Sequence, residues 1–200
     1  MWASRYPPRA HNRLMETEER TVLARLPDVR GLTVLDLGCG SGRYTAILTR
    51  LGAACIVGLD GSPEMLARAS QVTSRLVRGD LRALPFHDRA ADLAVCGLAI
   101  GDIAELDAAL AGVARVLKPG GCAVYSDLHP RGAEAGWRRT FTDARGRRLA
   151  VRHCRHSLDD HVAACRAAGL LVESIDEPAI DFDSEFKGWP AVLVVRARRP

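Results

Sequence analysis

Hydrophobic and polar positions along this chain alternate between two kinds of block. Short, mostly apolar runs stand at 33–37, 53–59, 91–97 and 122–128, and a shorter strand-like stretch, with Leu76 and Val77 between two arginines, at 75–78. Between them, apolar residues recur every three or four positions. The runs predict buried strands and the intervening stretches predict amphipathic helices. Helices are expected over 15–25, with Met15, Val22, Leu23 and Leu26 on one face, and over 44–51, 62–72, 103–117 and 157–169. Several ends carry local punctuation. Pro27 closes the first helix. Ser62-Pro63-Glu64 offers an N-cap followed by proline at the first helical position. Lys118-Pro119-Gly120-Gly121 stops the fourth, and Ser157 caps the last with Asp159 and Asp160 in its first turn.

Strands that alternate with helices predict a parallel sheet covered on both faces. Two further strands, 170–175 and 191–197, follow one another without a helix between them. Such a pair is antiparallel and belongs at a sheet edge. The alternation breaks once, over 131–156. There Thr140-Phe141-Thr142 and Leu149-Ala150-Val151 flank Asp143-Ala144-Arg145-Gly146, which reads as a hairpin. It follows the fifth strand, on the side where strand carboxyl ends meet a ligand in such sheets, and a small lid is expected. The expected organisation is one domain over 1–200, with an N-terminal flap and helix over 1–30 and the lid over 131–156.

Composition narrows the class. With 48% hydrophobic and 26% charged residues in 200, the chain has the balance of a globular protein with a real core. The N-terminal stretch has no apolar core of a secretory signal, and no apolar run is long enough to cross a bilayer, so a cytoplasmic location is expected. Six cysteines form no C-x-x-C pair and predict reduced thiols rather than a metal site. The net charge of +4 is concentrated: eight arginines against Glu134 and Asp143 lie between Arg131 and His156. A solvated hairpin, attraction of an acidic substrate and docking of an acidic carrier protein or a nucleic acid all fit that cluster. Aromatics are only 5% of the chain and no stacking pattern accompanies the arginines, which argues against single-stranded RNA recognition and makes nucleic acid the less expected partner.

The strongest local signal is Val34-Leu35-Asp36-Leu37-Gly38-Cys39-Gly40-Ser41-Gly42. It is a strand that runs into G-x-G-x-G and then a helix. Glycines permit a sharp turn and let backbone approach a ligand. The spacing differs from the G-x-G-x-x-G of dinucleotide sites. Asp36 suits a cationic amine better than a pyrophosphate. Asp60 closes the second strand 18 residues beyond Gly42, where a carboxylate can accept from two ribose hydroxyls.

These segments resemble the class I S-adenosylmethionine-dependent methyltransferases of the type-11 methyltransferase-domain family. The matching stretches are VLDLGCGSGRY at 34–44, VGLDGSPEMLARA at 57–69, GDLRALPFHDRAADLAV at 79–95 and VARVLKPGG at 113–121. The resemblance implies a Rossmann-like sandwich with a seven-stranded, mostly parallel sheet and an antiparallel edge strand, and S-adenosylmethionine as cofactor, with no metal. It further implies that Gly38, Cys39, Gly40 and Gly42 wrap the methionine part and the ribose, with Asp36 acting on the loop and the amine. Asp60 would hold the ribose hydroxyls, Gly61, Ser62 and Met65 the adenine side, Asp80 and the Leu81 amide the adenine ring. Cys96 and Gly97 would offer carbonyls to the amine. The histidine-rich segment that many members carry after the fourth strand is replaced here by 96–103, with Asp102 near the usual histidine position.

Methyl transfer is a displacement in which an enzyme contributes orientation and, for hydroxyl acceptors, a base. His129, just past the fifth strand, is the candidate base; it can equally serve to order the lid. Tyr6, His11 and Asn12 in the flap and Trp137 and Phe141 in the lid are the expected acceptor contacts. The function expected is methylation of an O, N or C atom of a small metabolite. Methylation of RNA or of a carrier-bound substrate, and cofactor binding without methylation, are the rivals. The sequence leaves the acceptor and the oligomeric state open.

Overall fold

The structure, a computed structural model, describes residues 6–137, 140–142, 146–150 and 153–200, and only the backbone at 133, 141, 142 and 148. Five strands carry the parallel part of the sheet: β1 (Thr33–Leu37), β2 (Cys55–Asp60), β3 (Leu76–Arg78), β4 (Ala91–Gly97) and β5 (Leu117–Leu128). Helices α1 (Arg13–Arg25), α2 (Arg43–Arg50), α3 (Pro63–Ala69) and α4 (Leu106–Val116) precede or link them. After β5 come a short α5 (Pro130–Glu134), the hairpin strands β6 (Thr140–Thr142) and β7 (Arg148–Ala150), α6 (Leu158–Ala167), β8 (Leu171–Asp176) and β9 (Val192–Arg198).

The seven-stranded sheet has the order β3-β2-β1-β4-β5-β9-β8, and β6 and β7 form a separate two-stranded sheet. β1 lies inside the sheet, third from the β3 edge, and pairs in parallel with β2 and β4. β9 runs antiparallel to both β5 and β8, so the expected reversal lies in the last two strands. β8, though at the edge, therefore points the same way as β5. Loops that leave β1, β2, β4, β5 and β8 all emerge at one end of the sheet.

Burial follows from the apolar runs. Val34, Leu59, Leu93, Val95 and Val124 are at 0% exposure, as strands covered on both faces require. One core layer lies under α4 and α6, around Leu110, Tyr125 and Cys165. The other lies under α1 and α2, around Val22, Tyr44 and Leu48. The predicted caps form. Ser62 Oγ accepts from the Met65 amide at 3.2 Å, and Ser157 and Asp160 make a reciprocal capping box.

Two boundaries differ from the sequence reading. The fourth helix was expected from 103, but α4 begins at Leu106, because Ile100–Asp102 forms a 3-10 turn and Ile103 is extended. Lys118-Pro119-Gly120-Gly121, expected as a stop between helix and strand, lies within β5. The helix ends at Val116, and Leu117 already pairs with Ala91 before the register shifts to Leu93 with Cys122. The hairpin after β5 is present, with its turn residues 143–145 outside the described residues. Among the described residues no helix is long and apolar enough to cross a membrane.

Candidate functional site

The glycine loop leaves β1 with Gly38, Gly40 and Gly42 at φ +67°, +56° and +91°. These are left-handed values that disfavour side chains. At Gly38 the restriction is also spatial, since a Cβ there would stand 2.4 Å from the Ala99 Cβ. The loop is thus pressed against the segment after β4. Beneath it, Asp36 is buried at 1% exposure and accepts from the Thr45 amide at 2.8 Å and the Thr45 hydroxyl at 2.6 Å. Burial pushes its carboxyl up to about 6, with the Thr45 bonds opposing. Asp36 therefore anchors the start of α2 from below the loop.

Asp60 ties the first two loops together. Its two oxygens accept from the Gly40 amide and the Ser62 amide, each at 2.8 Å. Burial raises this carboxyl, while the amides of Ser62, Gly40 and Gly61 hold it down. It lies on the wall of an open cavity of about 600 Å³ with Gly38, Gly61, Asp80 and Leu81. Ala99, Asp102 and Ile103 close the far side. The volume is that of a typical cofactor site. Five of the expected cofactor residues thus meet on one surface.

Asp80 carries a partner that the sequence reading missed. Arg82 forms a forked pair with it, Nε to Oδ1 at 2.9 Å and Nη2 to Oδ2 at 2.5 Å, and also lines the cavity. This guanidinium holds the Asp80 carboxyl at about 2. Asp-x-Arg on a loop was the available signal.

Other expected cofactor residues stand behind the wall. Cys39 and Met65 are buried, at 6% and 4% exposure, and Ser62 caps α3. Cys96 borders a void of about 10 Å³, room for one water, beside Leu37 and Tyr125. Burial pushes both the Cys39 and Cys96 thiols up, so neither is a nucleophile. Gly97 is required by α2, because a Cβ there would lie 2.2 Å from Tyr44 Cε2.

The N-terminal segment lies against the glycine loop. The Ser41 hydroxyl donates to the Pro7 carbonyl at 3.0 Å, and Arg68 of α3 donates to the Tyr6 carbonyl at 3.0 Å. Tyr6 and His11 meet edge to face, with ring centres 4.7 Å apart. Asn12 is the N-cap of α1, accepting from the Met15 amide at 2.9 Å. Trp2 lies outside the described residues.

A buried polar network links this segment to the site, and the sequence reading did not find it. Glu18 of α1 is at 0% exposure. It accepts from the Tyr44 hydroxyl at 2.8 Å and the Ser126 hydroxyl at 2.6 Å, and pairs with Arg43 at 2.7 Å. Arg43 also reaches Glu19 at 3.2 Å, and its guanidinium lies 4.4 Å from the Tyr44 ring centre. Ser126 in turn accepts from the amide of Leu98, a non-glycine residue at φ +56°. One carboxylate thereby fixes α1, the start of α2, the end of β5 and the turn after β4.

His129 has both ring nitrogens engaged. Nδ1 accepts from the Arg131 amide at 3.2 Å, which leaves Nε2 as the donor to Glu177 at 3.0 Å. It is not on the wall of the 600 Å³ cavity. Asp127, two residues earlier, instead faces His153 at 3.7 Å and His161 at 3.6 Å. The lid is fastened to the turn after β4: the Cys154 amide donates to the Gly101 carbonyl at 2.7 Å, and His156 Nε2 donates to the Ile103 carbonyl at 2.8 Å. Trp137 packs edge to face on Phe186, with ring centres 4.9 Å apart. The Phe141 side chain lies outside the described residues. Among the described residues no group of three His, Cys, Asp or Glu side chains could hold a metal ion, and all six cysteines are free.

This strand order, the glycine loop at the end of β1 and the carboxylates at the ends of the next two strands are the arrangement of the class I S-adenosylmethionine-dependent methyltransferases, and the chain has their fold. The methyltransferase-domain family matches over residues 35–125. A solved S-adenosylmethionine-dependent methyltransferase from Mesorhizobium loti is similar across 92% of this chain and 98% of its own, at 28% identity and a TM-score of 0.78. Among curated relatives, an uncharacterized methyltransferase of Synechocystis sp. is 42% identical over 50% of this chain and 48% of its own length. A malonyl-[acyl-carrier protein] O-methyltransferase of Pectobacterium atrosepticum is 34% identical over 58% and 46%. The chain spans about half the length of these curated relatives.

Proposed function

We propose that the chain transfers a methyl group from S-adenosylmethionine to an O, N or C atom of a small metabolite. The observation that carries this is Asp60. Its carboxylate is held by two backbone amides at 2.8 Å on the rim of the 600 Å³ cavity, facing the space beside Gly38 and Asp80. A carboxylate fixed this way has its outward lone pairs already aimed before a ligand arrives, and preorganisation of that kind favours a vicinal diol.

The residues present suit the cofactor. Gly38 leaves its loop flush against Ala99, which would bring backbone rather than side chain to the ligand. Asp60 would hold the ribose and Asp80, steadied by Arg82, the adenine amino group. Asp36 would act through the loop it supports. When bound, S-adenosylmethionine supplies a sulfonium methyl that an acceptor lone pair displaces, the C–S electron pair remaining on sulfur. The chain's own part is to orient the reactants and exclude water. His129, with its nitrogens shared between the Arg131 amide and Glu177, serves to order the start of the lid rather than to remove a proton.

The test is calorimetric titration with S-adenosylhomocysteine, repeated on Asp60→Ala. Hydrogen bonds to a charged group contribute about 1.5–3 kcal/mol each, so losing two should raise Kd by roughly two orders of magnitude or more. An unaltered Kd would remove Asp60 from the site, and an absence of binding to the unmodified chain would overturn the reading. Exposed Arg131, Arg147 and Arg155 on the lid, together with the carrier-protein relative, favour one alternative acceptor, a substrate tethered to an acidic carrier. A Michaelis constant that rises steeply with salt would support it.

A further inference from the structure

We propose that a second cavity, between the lid and the β8–β9 connection, is the methyl-acceptor site and takes an aromatic molecule. The proposal rests on the methyltransferase reading above. The cavity measures about 580 Å³ and is lined by Leu14 of α1, by Trp137 and Thr140 of the lid, and by Ile180, Phe182 and Phe186 of the connection, among others. Its position suits an acceptor. The connection leaves the carboxyl end of β8, which points the same way as β5, so it emerges at the same end of the sheet as the glycine loop.

The connection is built rather than loose. Ile180 donates to the Trp189 carbonyl at 2.7 Å, and Gly188 donates back to the Ile180 carbonyl at 2.9 Å. The Ala191 amide donates to the Pro178 carbonyl at 2.8 Å, and Arg20 of α1 holds Asp181 at 3.2 Å. This framework presents aromatic rings to the lid. Trp137 meets Phe186 at 4.9 Å and 67°, and Phe186 meets Trp189 at 5.4 Å and 63°. Arg131 then covers Trp189, its guanidinium 4.2 Å from the ring centre. Two of the four phenylalanines and two of the three tryptophans of the chain gather here.

The chemistry of the wall selects the ligand. The described side chains that line it are uncharged, and the nearest described cation, Arg13, lies over the Phe182 ring with its guanidinium 5.9 Å from the ring centre, so the wall offers aromatic contact first. Rings already set edge to face continue that geometry with another flat ring, a preference an alkyl chain does not satisfy. The wall also carries the hydroxyls of Thr140 and Ser184. The Trp137 indole N–H is buried with no acceptor among the described residues. A buried donor without a partner is unfavourable, and an oxygen or nitrogen on the ligand's ring would satisfy it. That pattern describes a phenol-like or heteroaromatic acceptor.

The experiment is calorimetric titration of the full chain with 2-naphthol and with 1-decanol, each with and without S-adenosylhomocysteine, on the unmodified protein and on Phe182→Ala and Phe186→Ala. Both phenylalanines are only partly buried in a surface connection, so the variants should fold. Phe186→Leu serves as a second, conservative probe. The expected result is that 2-naphthol binds more tightly than 1-decanol, that each alanine variant weakens it at least fivefold, and that Phe186→Leu weakens it less. Binding of S-adenosylhomocysteine should be unchanged in all three. Equal binding of 2-naphthol to the variants, or tighter binding of 1-decanol, would overturn the aromatic assignment. Failure of S-adenosylhomocysteine to bind would count against the methyltransferase reading alone, because the two probes are also measured without it.

Discussion

Replacing Asp36 with Asn should stabilise the protein at neutral pH and leave it unchanged in acid. Asp36 is buried at 1% exposure, and burial raises its carboxyl from 3.8 to about 6. Below about pH 4 the group is protonated in both the folded and the unfolded chain, and its ionisation has no effect on stability. Between about pH 4 and 6 the unfolded chain loses the proton while the folded chain keeps it. The unfolded state then binds fewer protons, so stability falls as pH rises. Above about 6 the penalty is constant. Two units at 1.36 kcal/mol each amount to roughly 3 kcal/mol. An asparagine amide oxygen has two lone pairs and can accept both Thr45 bonds, now 2.8 and 2.6 Å long, without the buried charge. Other carboxylates, Asp80 and Asp176 among them, are shifted downward and tilt the profile the other way. The informative quantity is therefore the difference between Asp36→Asn and the unmodified chain. Urea unfolding at pH 4.5 and 7.5 measures it. The variant should gain up to about 3 kcal/mol at pH 7.5, or about 6–12 °C in Tm for a chain of this size, and much less at pH 4.5. A gap independent of pH, or a variant less stable at pH 7.5, would refute the account of a costly buried charge.

Three further outcomes follow from the same geometry. Glu18→Ala removes the shorter of the two ion pairs of the buried Arg43 guanidinium and leaves Glu19, at 3.2 Å, as the other, so unfolding in urea should show a loss of about 3–5 kcal/mol, and Glu18→Gln, which still accepts from Tyr44 and Ser126, a smaller one; a loss under 1 kcal/mol would deny the network its role. Gly38→Ala places a Cβ 2.4 Å from Ala99 at a positive φ, and the S-adenosylhomocysteine Kd should rise at least tenfold by calorimetry while the far-ultraviolet spectrum of the fold persists. His129→Ala should lower Tm through the lost contacts to Glu177 and the Arg131 amide yet leave kcat with any accepted methyl acceptor within twofold; a drop of a hundredfold would restore His129 as the base.

The parts legible in the sequence are those fixed by neighbours along the chain. β1 and β4 were bounded by continuous apolar runs, and Ser62 and Ser157 announced the helices they cap. The glycine loop and Asp60 carried the cofactor signal because their spacing is local to one strand–helix–strand unit. What was illegible depends on distant partners. Glu18 reads as one more charge on an amphipathic helix, and its burial is set by Arg43, Tyr44 and Ser126, up to 108 positions away. His129 reads as a free site histidine until Glu177 is brought beside it, 48 positions on. The start of α4 was misplaced because Ile103 keeps the helical spacing of apolar residues while its backbone is extended. The aromatic residues of 177–191 gave no periodic signal, since they line a cavity and not an element's face.

The position of β9 bears on how the molecule is made. The strand latest in sequence sits inside the sheet, hydrogen-bonded on one side to β5 and on the other to β8. Until Val192–Arg198 docks, β5 offers an open edge and β8 has no partner, so the half of the sheet that bears the lid cannot close. Closure depends on contacts across long sequence separations, which are slow to form. A chain still being synthesised would hold an assembled β3-β2-β1-β4-β5 platform with one sticky flank, the condition in which sheets recruit strands from other molecules. Chaperone dependence and inclusion-body formation should therefore respond to substitutions in β9 far more than to equivalent ones in β3.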